Sequence, residues 1–75
     1  MTLYEASCNV EVFVEKVDLD SDSKQRLVEL GIFPNVVMKK LVRRIAGTLV
    51  RVLESTIVLN NDITKHIYVK EMSSE

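Results

Sequence analysis

The chain has 75 residues, 11 acids against 10 lysines and arginines, and a formal net charge of −1 at pH 7. A domain of this size buries only about 60% of the surface its unfolded chain exposes, which leaves little room for a catalytic cleft. A pI near 5.8 argues against a nucleic-acid-binding domain, whose balance is usually basic, and a single cysteine excludes an internal disulfide.

Thr2 to Ala6 is predicted as a short turn with Leu3 tucked inward. Asn9, a good turn residue, precedes the first strand. Val10-Glu11-Val12-Phe13-Val14-Glu15 alternates with period two, so Val10, Val12 and Val14 share one face of a half-buried strand. Asp18, Asp20 and Asp22 then offer helix caps. Asp22 with Gln25 three residues later resembles a capping box, and all three acids oppose the positive end of a helix dipole. The alternate acids also resemble a calcium loop, but its glycine and distant glutamate are missing.

The helix runs to Leu30 and presents Leu27 and Leu30 to the core. At about two turns it needs tertiary packing to persist. Gly31 stops it, because glycine takes the left-handed conformation at little cost. Pro34 pushes Phe33 into extended backbone.

The rest reads as strands. Val36 to Arg44 is the second, with broken alternation that places a bulge near Lys40. Ala46-Gly47-Thr48 turns into Leu49 to Leu53, and Glu54-Ser55 turns into Thr56 to Leu59. Asn60-Asn61-Asp62 opens one helical turn, Ile63 to His66. Ile67 to Lys70 is the last strand, and 71–75 is a polar, frayed tail. Five strands with one short α-helix after the first describe a mainly β fold, a small SH3-like β-barrel whose closure removes most sheet edges. Residues 1–75 contain no repeat or linker, so a single domain is expected.

Residues 1–15 carry Glu5, Glu11 and Glu15 and no basic start before an apolar run, so no secretory leader is read there. No apolar stretch approaches the roughly 20 residues of a membrane span. Direct membrane insertion is therefore not expected, and the lone thiol suits a reducing cytoplasm.

Arg26-Leu27-x-x-Leu30-Gly31-Ile32-x-Pro34 after a strand and helix is similar to the signature of the FeoA family. The later pieces follow in the same order, through Ile57-Val58-Leu59 to Ile67-x-Val69. The resemblance covers roughly Leu3 to Lys70. It implies an SH3-like barrel that serves bacterial ferrous-iron uptake by acting on the cytoplasmic GTP-binding part of the transporter FeoB. Three of the family's usual glycines are replaced here by Asn9, Asn35 and Ser55, and Asn35 still tolerates the left-handed region.

That resemblance and the charge pattern define the candidate partner-binding residues. They are Arg26, Leu27, Leu30, Gly31, Ile32 and Pro34 from the motif, with Lys39, Arg43 and Arg44 for electrostatic steering. The motif reading leaves Ile32 and Phe33 partly exposed as a docking surface. The steering residues come from Lys39 to Arg51, which holds five bases and no acid; its plain alternative is a solvated hairpin. Residues 1–35 hold seven acids against three bases, so the chain is polar from one half to the other.

Cys8 and His66 are potential metal ligands without the paired spacing of a built site. Their plain reading is a small buried thiol and a surface histidine. No cofactor, resident metal or catalytic set is expected, and the absence of a phosphate loop means the chain should not hydrolyse GTP. The alternatives are a small nucleic-acid-binding barrel, disfavoured by the lack of aromatics among the bases, and a metal-responsive regulatory module. Exposed sheet edges leave a homodimer open.

Overall fold

The computed structural model describes residues 1–72. In chain order it forms β1 (Glu11–Val17), α1 (Ser21–Glu29), β2 (Val37–Arg44), β3 (Gly47–Val52), β4 (Ser55–Leu59), α2 (Asn61–Thr64) and β5 (Ile67–Glu71). The strands make one antiparallel sheet in the order β4-β3-β2-β1-β5.

The predicted closure of the barrel is corrected: β4 and β5 end the order and do not pair. The reason is a competitor for the β5 edge. Leu3 N–H donates to Ile67 O at 2.7 Å and Val69 N–H to Met1 O at 2.8 Å, with a bridge between Thr2 and Tyr68. The N-terminal segment thus occupies the hydrogen-bonding groups that β4 would need.

The core is aliphatic. Val12 and Val14 from β1, Val50 and Val52 from β3, and Ile67 and Val69 from β5 all point inward, as period-two alternation requires. Leu3, Leu27 and Ile32 cap this layer. The β2–β3 register shifts between Lys40 and Val42, which is the bulge expected from the broken alternation.

Lys40 departs from its predicted place in a surface basic run. It is 3% exposed, and its Nζ donates to the carbonyls of Leu3 (3.1 Å), Tyr4 (2.7 Å) and Ala6 (2.7 Å). The turn at Thr2 to Ala6 forms as expected, with Leu3 fully buried. Of the three carbonyls only that of Leu3 has a backbone donor, Ala6 N–H at 3.3 Å; the ammonium is the donor to Tyr4 and Ala6 and a second one to Leu3. Burial pushes the Lys40 amine below its ordinary value of 10.5.

The turns fall one or more residues from the predicted positions. Ile45-Ala46 joins β2 to β3, since Arg44 pairs with Gly47. Leu53-Glu54 joins β3 to β4, since Val52 pairs with Ser55. Leu53 takes φ 56°, the positive value that primed hairpin turns place at the first loop position. A leucine there is strained. Leu53→Gly is expected to raise stability by about 0.5–1 kcal/mol, read as a Tm increase of a few degrees; an unchanged or lower Tm would contradict the strain.

β5 continues through Glu71, and Met72 N–H donates to Glu11 O at 3.0 Å, so the chain is ordered further than the predicted tail allowed. The remainder of that tail, residues 73–75, lies outside the described residues. Among the described residues no helix is long and apolar enough to cross a membrane.

Candidate docking site

α1 begins one cap earlier than its sequence suggests. Asp20, not Asp22, is the N-cap, and its carboxylate accepts from Ser23 N–H at 2.8 Å. Asp22 instead lies in the first turn, beside the positive helix end. Hydrogen bonds from Ser23, hydroxyl and then backbone, hold the Asp20 carboxyl below its ordinary value.

The far end of α1 follows the sequence closely. Gly31 takes φ 95° after Leu30. Gly31 N–H donates to Val28 O at 2.9 Å and Ile32 N–H to Leu27 O at 2.8 Å, the paired bonds of a Schellman ending. The apolar contact that accompanies this motif is present, since both Leu27 and Ile32 are buried. Phe33-Pro34-Asn35-Val36 then turns, with Val36 N–H on Phe33 O at 3.1 Å and Asn35 at φ 77°. Proline followed by a positive-φ asparagine is the signature of a type II turn. Asn35 N–H on Val14 O (2.7 Å) and Val14 N–H on Val36 O (2.9 Å) fasten this turn to β1.

This geometry sorts the predicted motif residues. Leu27 is buried as expected. Ile32 is fully buried rather than partly exposed, because it is the inward residue of the Schellman pair. Leu30 is corrected the other way: it caps the helix and is 45% exposed instead of core. Arg26 is exposed on α1, and Pro34 is exposed in the turn. Phe33 stays exposed, as expected, with Val28 beside it. Val28, Phe33, Pro34 and Val17 line an apolar groove of about 240 Å³, floored by Ile32 and flanked by Lys16 and Lys24.

The basic residues do not gather as one patch. Lys39 pairs across the sheet with Glu11 and Arg51, so an acid already neighbours it. Arg43 and Arg44 stand at the opposite end of β2, where an open cleft of about 810 Å³ is lined by both, by Tyr4 and by Lys65. The Arg43 guanidinium lies 4.5 Å and the Lys65 ammonium 4.9 Å from the Tyr4 ring centroid. Sequence reading missed Tyr4 and Lys65, which no local pattern connects. Cys8 is exposed, contrary to its plain reading as a buried thiol, and His66 is exposed as expected. No three His, Cys, Asp or Glu side chains converge on a metal site among the described residues.

The family model of the FeoA domain matches residues 1–71. The chain belongs to the FeoA family. Solved structures of FeoA proteins share its fold. The FeoA protein of Chlorobium tepidum superposes with a TM-score of 0.89 at 19% identity, covering 100% of this chain and 73% of that one. Iron(II) transport protein A of Clostridium thermocellum gives 0.87 at 15% identity over 95% of this chain. The present chain spans 45% of the length of that Clostridium protein. Zinc-bound FeoA of Stenotrophomonas maltophilia, described as a prokaryotic SH3 domain protein, gives 0.78 at 26% identity, covering 93% and 89% of the two chains. No curated protein sequence matches the chain. As an FeoA-family chain it carries the mainly β, SH3-like sheet that the strand pattern predicted, opened between β4 and β5.

Proposed function

We propose that this FeoA-family chain is a non-catalytic accessory protein of ferrous-iron transport. It binds the cytoplasmic GTP-binding part of a FeoB-type transporter and modulates uptake. Family membership over residues 1–71 supports the transport role. The observation that supports docking is the groove at the end of α1. The FeoA motif itself builds it: Gly31 and Ile32 turn the chain inward, and Val28, Phe33 and Pro34 are left outward beside one another. Leu27, Gly31 and Ile32 then act by holding the groove's shape. Arg26 and Leu30 border the same helix end, while Lys39, Arg43 and Arg44 contribute charge steering at longer range.

An aromatic anchor in such a groove is where binding energy concentrates. Phe33→Ala is expected to weaken association with the purified GTP-binding domain by about tenfold or more, measured by calorimetry. Its Tm should move much less than that of a core variant, because Phe33 is 43% exposed. Unaltered affinity would remove the groove from the interface. Hydrolysis of GTP by the chain alone would contradict the non-catalytic role.

A further inference from the structure

The end of the β2–β3 hairpin joins Arg43 and Arg44, which the transporter reading uses only for long-range steering, to features that reading does not use. Ile45 is fully exposed at its tip. Such a residue gains nothing from water, and this one is held in place. Asn61 Nδ2 donates to the carbonyls of Arg44 (2.8 Å) and Ile45 (3.5 Å), and its Oδ1 accepts from the hydroxyl of fully buried Thr48 at 2.7 Å. The tip is therefore braced against α2.

Its two flanks differ. On one side Arg43, Arg44 and Lys65 line the open cleft, with Tyr4 fixing Arg43 and Lys65 near its ring. Two acids stand beside these cations: exposed Asp62 of α2, 3.8 Å from Lys65, and Glu5, which lines the adjoining cleft with Tyr4 and Arg43. On the other side Val58 is 64% exposed and forms a shallow apolar surface with Ala46 and Leu49.

We propose that this end of the molecule is a peripheral contact for an anionic lipid surface. Ile45 and Val58 enter the boundary between headgroups and acyl chains, and Arg43, Arg44 and Lys65 meet the lipid phosphates. An acidic protein face would satisfy the cations but leave a protruding isoleucine against polar groups. Nucleic acid fits less well still. Its phosphates do nothing for Ile45, and Arg43 and Lys65 already occupy the Tyr4 ring on which a base would stack. A lipid surface matches both the charge and the apolar tip.

The proposal shares Arg43 and Arg44 with the steering role but uses none of the docking groove, and it is compatible with the transporter reading. Gly31, at the docking groove, lies near Val52 and Leu53, at the far end of β3 from Gly47 and the hairpin tip. The groove and the lipid contact can thus be engaged together.

Sedimentation of the whole chain with lipid vesicles tests this without any transporter. Binding is expected to vesicles of phosphatidylcholine mixed with phosphatidylglycerol and not to phosphatidylcholine alone, and it should fall with salt. The paired variant Arg43→Glu, Arg44→Glu should lower partitioning by on the order of tenfold or more. Ile45→Ser should lower it roughly fivefold with the salt dependence kept, because the cations remain. Ile45 is fully exposed, so that variant keeps its fold. Equal binding to the two vesicle types, or an Ile45→Ser variant that partitions like the wild type, overturns the proposal. Tighter binding to polyglutamate or to single-stranded DNA than to the anionic vesicles reassigns the surface and also overturns it.

Discussion

Lys40→Met is expected to lower stability by about 3 kcal/mol and Tm by roughly 15 °C, measured by thermal and urea unfolding. Methionine keeps the unbranched stem within the core but removes the ammonium. The carbonyls of Tyr4 and Ala6 then lose their donor, and that of Leu3 keeps only Ala6 N–H at 3.3 Å. A buried acceptor without a partner costs about 1–3 kcal/mol. Water can reach the Tyr4 carbonyl, whose bond is part-buried, but is less able to replace the buried bond to Ala6, which is left without a partner. Relief from burying a charge offsets part of the loss. A change below about 1 kcal/mol would show that the N-terminal turn does not depend on this ammonium.

The same residue sets a pH dependence whose sign is determined. Burial lowers the folded-state pKa of Lys40 below 10.5, so between the two values the unfolded chain binds more protons than the folded one. Stability then increases with pH across that window. The wild type should therefore gain on Lys40→Met as pH rises toward 10.5, and a difference that narrows instead would contradict burial as the cause.

Gly47→Ala is expected to cost about 3 kcal/mol, with the loss seen as a lower urea midpoint at unchanged slope. Gly47 opens β3 at φ 150°, and a Cβ there would lie 2.9 Å from the backbone oxygen of Leu59 and 2.9 Å from a Val58 methyl. The methyl can rotate away, but the carbonyl belongs to the β3–β4 ladder beside the Thr48–Leu59 pair. Opening that pair disturbs the strand that anchors Asn61 through Thr48. Gly31 is less constrained: its nearest neighbour is a Val52 side-chain methyl at 3.3 Å, so alanine there costs mainly the backbone conformation. A Gly47→Ala loss no larger than that of Gly31→Ala would contradict the close approach.

The parts of the fold legible in the sequence were those written locally. The helix stop at Gly31 and the Pro34-Asn35 turn depend on residues within a few positions, and each has a stereochemical reason. Asn9 and Asn35 take the left-handed values where the family has glycine, at φ 64° and 77°. The third such value belongs to Leu53 rather than to the Ser55 position, because the hairpin loop sits earlier than the Glu54-Ser55 pair suggested. Three aspartates at alternate positions gave equivalent caps, and Asp20 won by the geometry of Ser23.

What was hidden depended on contacts far apart in sequence. The strip formed by Met1 to Leu3 along β5 joins opposite ends of the chain and keeps the sheet open. A lysine in a basic run reads as solvated, and only the turn at Leu3 to Ala6 explains why Lys40 points inward. In the candidate site, Phe33 was marked by its place just past the helix, whereas Val28 was not, since only the inward turn of Ile32 leaves it beside Phe33. Tyr4 and Lys65 were not, since the fold alone brings them to Arg43.

The docking groove is tested most directly by titrating the isotope-labelled chain with the GTP-binding domain of a FeoB-type transporter and following backbone amide resonances. The account predicts the largest changes at Lys24, Val28 and Phe33, around the groove, with little change at Ile45 on the hairpin tip. Saturable binding whose changes fall on the hairpin tip and spare α1, or no change at any domain concentration, would contradict it.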